Sequence, residues 1–308
     1  MISFAPIAIF AYKRKDKIEQ CLSSLKKCDG FDKSQLFIFS DGFKGEADKG
    51  QVGEVRDYLR TFSQMCSCKS IEIIESKYNK GLANSIITGV TSIVNKYGKI
   101  IVVEDDLIVS KDFIKYMNIG LDFYETNKRY GMISAYTYPL KELDSYDKDV
   151  YVTRKGDCWG WATWKDRWET VDWELKNFDE YLSNKKERKA FSSLEYGLEE
   201  QLISQHNGKL DAWAARWIFH LFQHNYLTVY PKICRAVNMG NDSSGENCST
   251  DDKYSNILYQ GNEACRFEYL DVDHKLETEI YCFSLPSMGQ RIIANLRRFY
   301  SYLGISGN

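Results

Sequence analysis

Apolar and polar positions follow two alternating periods along the first hundred residues. Short apolar runs, typical of buried strands, occur at residues 4–11, 35–40, 70–75 and 99–104. Between them, apolar residues recur every three or four positions, which predicts helices at residues 15–27, 51–62 and 82–97. Because strands that alternate with helices form βαβ units, this pattern predicts an α/β fold with a mainly parallel central sheet flanked by helices.

The alternation weakens after residue 104, and aromatic residues become frequent. Helices are still predicted at 112–126 and 212–224, and a strand at 227–230 that stops before Pro231. We place a boundary near Tyr138, between the alternating strand and helix patterns and the aromatic-rich sequence. Residues 1–138 and 139–284 are predicted as two halves of one domain.

Residues 285–308 form a separate amphipathic pattern, which predicts a C-terminal helix. Its apolar positions alternate with Arg291, Arg297 and Arg298. Such a helix can dock on its own domain, pair with a second copy, or lie on an anionic membrane surface. Three arginines do not decide between these alternatives.

Composition excludes some classes of partner. The 308 residues include 41 basic and 43 acidic side chains, so no overall positive field attracts nucleic acid. Residues 1–11 are apolar over too short a span to cross a bilayer and lack a basic leader. We therefore expect a cytoplasmic protein, in which the nine cysteines are reduced thiols.

Three consecutive acidic residues, Glu104, Asp105 and Asp106, follow the apolar run 100–103. Burying unpaired carboxylates costs several kcal/mol, roughly, so a cluster at the end of a buried strand needs a positive partner. Ligands of parallel sheets lie beyond the carboxyl ends of the strands. The cluster is therefore a candidate site for Mg²⁺ or Mn²⁺. The alternative is an acidic start to the next helix.

An ordered set of segments resembles one enzyme family. The segments are Ala11-Tyr12-Lys13-Arg14, Phe39-Ser40-Asp41-Gly42, Asn79-Lys80-Gly81-Leu82-Ala83, Val103-Glu104-Asp105-Asp106, Cys158-Trp159-Gly160-Trp161-Ala162-Thr163-Trp164, Asp211-Ala212-Trp213 and Val237-Asn238-Met239-Gly240-Asn241-Asp242. Over residues 5–250 the chain resembles GT-A fold glycosyltransferases of the broad family 2 type. It is particularly similar to the N-acetylglucosaminyltransferase I group and its bacterial relatives.

The resemblance implies a nucleotide-sugar site in the first half. Arg14 and Asp41 would bind the nucleotide base and its surroundings, and Lys80 would add positive charge. An aspartate can accept from a base imide N–H, and a guanidinium can reach phosphate. The alternatives are a helix start for Arg14, an Asp-Gly turn for Asp41 and an exposed loop lysine for Lys80.

The resemblance also assigns roles within the acidic cluster. Asp106 would be the direct metal ligand, with Glu104 and Asp105 nearer the hydroxyl groups of the sugar and the ribose. The metal would neutralise the leaving diphosphate. Asn247 departs from the family, since many relatives carry histidine there, and asparagine coordinates only through its carbonyl oxygen.

An inverting transfer needs a carboxylate that takes the acceptor hydroxyl proton. Asp211 is the candidate base, although it is also a good N-cap for the helix that follows. The family's aspartate directly precedes a tryptophan, where this chain has Ala212. The other candidate bases are Glu199, Glu200 and Asp157.

Three tryptophans, Trp159, Trp161 and Trp213, are candidate contacts for the acceptor. Indole rings can stack on the apolar faces of sugar rings, and core packing is the alternative for each residue.

The sequence thus predicts a metal-dependent, inverting glycosyltransferase of the hexosyltransferase class that uses a nucleotide-diphosphate sugar, with UDP as the expected nucleotide. Its acceptor would be a glycan or a lipid- or protein-linked sugar, reached in the cytoplasm or at the inner face of the membrane. One alternative is a sugar nucleotidyltransferase, although the segment after the first strand lacks the glycines of a phosphate loop. The other is a non-catalytic carbohydrate-binding protein.

Overall fold

The computed structural model describes residues 4–211, 213–240, 252–261 and 263–286. Its strands are β1 (Ile7–Ala11), β2 (Gln35–Ser40), β3 (Ser70–Glu75), β4 (Lys99–Glu104), β5 (Leu107–Val109), β6 (Tyr130–Ser134), β7 (Val150–Thr153), β8 (Trp161–Trp164), β9 (Leu227–Pro231) and β10 (Ala236–Asn238). Its α-helices are α1 (Lys15–Lys26), α2 (Glu46–Met65), α3 (Leu82–Tyr97), α4 (Phe113–Tyr124), α5 (Lys165–Trp168), α6 (Phe178–Ser183), α7 (Lys185–Ser192), α8 (Leu198–His206), α9 (Trp213–Gln223) and α10 (His274–Ser284).

A central sheet of eight strands has the order β3-β2-β1-β4-β8-β6-β9-β7, and β10 pairs with β5 in a separate ribbon. Within the central sheet only β7 and β8 run against the other six strands. The predicted α/β class, with a mainly parallel central sheet flanked by helices, is confirmed.

The strands β3-β2-β1-β4 form what we call the first half-sheet, and all are parallel. Every residue of β1 is buried, because helices cover both faces. Ile7 and Ile9 pack with α1 and α2, whereas Ala8 and Phe10 pack with α3. A strand covered on both faces reads as a continuous apolar run, which explains why this half was predictable.

Helix α2 begins at Glu46, five residues before its predicted start. Its first turn carries Glu46 and Asp48 and no buried residue, so the apolar stripe that predicted the helix appears only from Val52 onward. Acidic side chains in the first turn are favoured by the helix dipole.

The strands β8-β6-β9-β7 form the second half-sheet. Strand β8 lies between β4 and β6 and is antiparallel to both, so it joins the two half-sheets. Strand β9 extends to Pro231, beyond the predicted end at 230. The missing N–H of Pro231 is tolerated because proline ends the strand rather than interrupting it.

The predicted helix at 285–308 lies outside the described residues, apart from its first two positions, and so do Ala212 and Asn247. In the part of the chain that is described, no helix combines the length and apolar character needed to cross a bilayer.

Candidate functional site

The carboxyl ends of β1, β2 and β4 meet at the middle of one sheet edge. Strand β1 pairs in parallel with β2 on one side and β4 on the other, so the chain leaves β1 toward β2 and returns later on the opposite side. Such a switch in strand order opens a crevice in which α/β proteins bind ligands. Arg14, Asp41 and Glu104 follow or end these three strands.

Arg14 and two buried carboxylates form the centre of this crevice. Nη2 of Arg14 donates to Oδ2 of Asp106 at 2.8 Å and also contacts Oδ1 of Asp105. Asp105 and Asp106 are only 5% and 4% exposed. Burial lowers the pKa of Arg14, but the two carboxylates raise it by more. Nη1 of Arg14 is buried and has no hydrogen-bond partner among the described residues.

Negative charge exceeds positive charge in this cluster. Burial, together with Asp106 and Asp105, raises the pKa of Glu104 to about 8. Burial also raises the pKa of Asp105 to about 6, although Arg14 opposes that rise. These shifts mean that the folded chain resists ionising Glu104 and Asp105 while Arg14 is the cation present. An added cation would remove that resistance.

The ribbon of β5 and β10 closes the crevice beside Asp106. The backbone N–H of Met239 donates to the carbonyl of Asp106 at 2.8 Å, and Nδ2 of Asn238 lies 3.4 Å from Oδ1 of Asp106. A Cβ atom on Gly240 would lie 2.4 Å from Oδ2 of Asp106, so any other residue there would displace that carboxylate. Lys17 donates from Nζ to the carbonyl of Met239.

The cluster does not cap a helix. Strand β5 follows Asp106 directly, and α4 starts only at Phe113. Within the described ranges, no group of three or more His, Cys, Asp or Glu side chains converges as a complete metal cage. One or two carboxylate oxygens nevertheless fit Mg²⁺ or Mn²⁺, which take their remaining ligands from water and substrate phosphates.

Asp41 organises the loop between β3 and α3. Its carboxylate accepts the backbone N–H of Gly42 at 2.8 Å, of Lys80 at 2.9 Å and of Gly81 at 3.1 Å. The side chain of Lys80 is exposed, so its backbone, and not its ammonium group, meets Asp41. The contact of Asp41 with a nucleobase stays a prediction, and the carboxylate already serves to shape the crevice wall.

Arg56 of α2 braces the same wall and gave no signal in the sequence. Its guanidinium donates to the carbonyls of Asp41 at 3.2 Å and Ser76 at 2.7 Å. Gly42 packs so closely on this loop that a Cβ would lie 2.4 Å from the backbone of Tyr78. A helix-surface arginine is ordinarily solvated, so only the folded chain shows this role.

Asp211 lies beside the start of α3, next to the loop that Asp41 holds through the N–H of Gly81. A Cβ on Gly81 would be 3.4 Å from its Oδ2, and Nη2 of Arg216 is 3.7 Å from its Oδ1. The Asp211 side chain is 56% exposed. It therefore has the solvent access that an acceptor hydroxyl would need, and its role as base stays a prediction.

Two of the other candidate bases differ sharply in their surroundings. Glu199 accepts from Arg188, Ser192 and Tyr181. Burial raises the pKa of Glu199, but these three donors lower it by more, which makes it a poor proton acceptor. Glu200 is exposed on α8.

Asp157 belongs to a second buried charge cluster, on the second half-sheet side of Glu104. Nζ of Lys155 lies 3.3 Å from Asp157 and 3.2 Å from Glu195, and it also contacts the Tyr138 hydroxyl. That hydroxyl donates to Asp157 at 2.8 Å. Asp157 also contributes to the raised pKa of Glu104, so the two clusters influence each other.

The three candidate tryptophans occupy different positions. Trp161 is fully buried and Trp213 is 3% exposed, and their rings stack with centroids 5.6 Å apart. Core packing therefore describes the contacts of both residues. Trp159 is half-buried and meets Tyr136 and Tyr254 edge to face, so of the three it has the most surface for an acceptor. Its contact with an acceptor stays a prediction.

No protein-family profile and no curated protein sequence matches the chain. Among solved structures, the mannosyltransferase PcManGT from Pyrobaculum calidifontis, in complex with GDP-Man and Mn²⁺, matches with 12% identity over 57% of this chain and 46% of its own, at a TM-score of 0.38. S. aureus TarS 1–349 in complex with UDP-GlcNAc matches with 12% identity over 42% of this chain and 32% of its own, at a TM-score of 0.31. The chain thus spans less than half of each protein, and similarity at this level does not establish a shared topology.

Proposed function

We propose that the chain is a glycosyltransferase that takes a sugar from a nucleotide-diphosphate donor with the help of a divalent metal. The observation that carries this is the Arg14–Asp105–Asp106 centre at the switch in strand order. It combines buried excess negative charge, an arginine with a buried N–H group that has no partner in the described part of the chain, and a crevice at the carboxyl ends of parallel strands. These are the requirements of a metal-bound diphosphate.

Asp106 would hold the metal, with Asp105 beside it and Glu104 toward the sugar. When bound, Mg²⁺ or Mn²⁺ supplies Lewis-acid stabilisation of the leaving diphosphate. Arg14, whose Nη1 has no hydrogen-bond partner among the described residues, would donate to phosphate oxygens through its planar fork. The loop held by Asp41 would form the nucleotide side of the crevice.

Asp211 would take the acceptor proton, because it lies beside the loop that Asp41 holds and remains solvent-accessible. Asp157 is the next candidate, but Lys155, Tyr138 and the backbone N–H of Trp159 already bind its oxygens. Removing the true base lowers transfer about 10²–10⁴-fold without weakening donor binding. Asp211→Asn and Asp157→Asn, compared side by side, identify it.

Calorimetric titration of UDP, and then of GDP, with and without Mn²⁺ tests the donor site. The wild type should bind one nucleotide only with Mn²⁺ present, and Asp106→Asn should abolish that binding. Asp57→Asn is the matched control, because the Asp57 carboxylate is exposed on α2 and pairs with the exposed Arg60. Absence of binding by the wild type, or equal binding by Asp106→Asn, would contradict the proposal.

Product analysis tests the transfer itself. Wild-type protein, incubated with the UDP- or GDP-sugars of the nucleotide that binds, should release free nucleotide and transfer the sugar to water or to added glycosides. Proton NMR of the first-formed product reports the anomeric configuration. Inversion supports a single displacement with a carboxylate base, and retention would contradict it.

A further inference from the structure

Two cysteines at the end of α2 bring their sulfur atoms into contact. Cys66 follows the last residue of α2, and Cys68 lies two positions further on, before β3. Sγ of Cys66 donates to Sγ of Cys68 at 3.0 Å, and Sγ of Cys68 donates to the carbonyl of Ser70 at 3.3 Å. Both residues are partly exposed, so small solutes can reach them.

No other thiols among the described residues make such a pair. Cys21, Cys28, Cys234 and Cys265 are buried. Three of these donate to backbone carbonyls at 3.2–3.5 Å, which is the usual behaviour of a structural cysteine. Cys282 is exposed and unpaired with another cysteine, so it provides an internal reference for ordinary thiol reactivity.

The fold holds the pair in place from both sides. Cys66 is attached to a helix of 20 residues, and Lys69, directly after Cys68, donates its backbone N–H to the carbonyl of Ser34 at 3.0 Å. The segment between helix and strand therefore has little freedom to separate the sulfurs. It lies at the amino edge of the sheet, opposite the crevice.

We propose that Cys66 and Cys68 are a reversible oxidation site that closes to an intramolecular disulfide by exchange with a low-molecular-weight disulfide. The thiolate of Cys66 attacks one sulfur of oxidised glutathione, which forms a mixed disulfide and releases one glutathione thiolate. The thiolate of Cys68 then attacks Sγ of Cys66 and releases the second. The protein loses two electrons and two protons, and one glutathione disulfide becomes two thiols.

The order of attack in this proposal follows from the surroundings of the Cys68 sulfur. Burial and the neighbouring Cys66 raise the pKa of Cys68 to about 12. Cys68 therefore keeps its proton at neutral pH, and Cys66 makes the first attack. The second step becomes faster at higher pH, as the thiolate fraction of Cys68 increases.

Peptide mass spectrometry of the full chain tests this site directly. Trypsin cleavage after Arg60 and Lys69 releases residues 61–69, which contain both cysteines and no others. Native protein is equilibrated with oxidised glutathione, quenched with acid and alkylated with a maleimide. We expect the peptide to lose two hydrogen atoms and to resist alkylation, and dithiothreitol to restore alkylation of both thiols.

Three variants separate this result from general oxidation. Cys282→Ser should behave like the wild type at 61–69, whereas Cys66→Ser and Cys68→Ser should each carry one glutathione on the remaining thiol. Full glutathionylation of Cys282, with 61–69 either unreacted or carrying only mixed disulfides, would overturn the proposal. So would disulfides that link two chains through this peptide.

Discussion

Each half-sheet has beside it a cation shared by two carboxylates, and the two centres differ in how completely the hydrogen-bond donors of the cation are paired. Arg14 beside the first half-sheet is 20% exposed in its side chain and leaves Nη1 without a partner among the described residues. Lys155 beside the second half-sheet is 5% exposed and contacts Asp157, Glu195 and Tyr138. The first centre is open to a ligand, and the second is closed by the protein itself.

This difference indicates a ligand-binding role for the Arg14 centre and a structural role for the Lys155 centre. A buried charge that is fully paired fixes the position of the segments that carry it, and exchanging it for a ligand would leave its partners unsatisfied. Lys155 joins the segment before β8 to the loop between α7 and α8. A charge that is incompletely paired can change partners when phosphate or metal arrives, as we propose for Arg14.

The largest expected effect concerns whether the half-sheets unfold together. Trp217→Ala should lower the free energy of unfolding by about 3–5 kcal/mol, because it removes a fully buried side chain that packs against Trp161 and Trp168 and leaves a cavity. Since β8 joins both half-sheets, urea unfolding should remain a single transition by fluorescence and by circular dichroism. Two separated transitions would show that the half-sheets are independent units.

Added metal should distinguish the Arg14 centre from the Lys155 centre. Arg14→Met and Lys155→Met should each lower stability by about 3 kcal/mol, because each leaves two carboxylates without their cation. Mn²⁺ should restore most of that loss in Arg14→Met and none in Lys155→Met. Thermal unfolding with and without Mn²⁺ measures both. Equal rescue of the two variants would refute the distinction between an open and a closed centre.

Acid should weaken the second half-sheet through His220. Its Nε2 donates to the carbonyl of Arg167 at 3.0 Å, and burial, with a contribution from His224, lowers its pKa from 6.5 to about 4. The unfolded chain therefore binds a proton below pH 6.5 that the folded chain refuses, so stability falls as the pH drops from 6.5 toward 4. The His220 contribution is at most about 3 kcal/mol.

Urea midpoints at pH 7 and 4.5 should differ less in His220→Gln than in the wild type. His274→Gln is the control, because His274 is 80% exposed in its side chain. An unchanged pH dependence in His220→Gln would show that other groups govern acid unfolding.

The smallest expected effect lies in the helical layer beside the second half-sheet. Asn184 caps α7 by accepting the backbone N–H of Glu187 at 3.2 Å. Asn184→Ala should cost about 1 kcal/mol, and Asn184→Asp should cost less because it retains the acceptor. Neither variant should change nucleotide binding by calorimetry, and a loss of binding would link this layer to the crevice.

Sequence patterns predicted the first half-sheet well because each of its strands is a short apolar run and β1, β2 and β3 each precede one α-helix. They missed β6, β7 and β8, where the order along the chain differs from the order in space. Strand β8 is only four residues long and pairs with β4 and β6, from which it is separated by long segments. Such pairings depend on tertiary packing that no local pattern encodes.

The site divides in the same way. The acidic cluster, Arg14 and Asp41 each follow or end a strand. Because the strands are parallel, the sequence could predict that these residues lie close together. Gly240 lies in the segment 237–242 that carries part of the family resemblance, but its contact with Asp106 depends on the pairing of β10 with β5. Lys155 and Glu195 could not be paired from sequence, because 40 positions separate them and neither belongs to a periodic element.

The late position of β8 also has a consequence during synthesis. Until residues 161–164 emerge, β4 presents the apolar edge Lys99–Glu104 of a nearly complete parallel sheet without its neighbour. At 5–20 residues per second, the 57 positions between 104 and 161 take roughly 3–11 s to translate. An unpaired apolar edge can recruit strands from other chains. Nascent chains should therefore be most prone to aggregate in this interval, and ribosome-bound chains stalled before residue 161 should depend most strongly on chaperones.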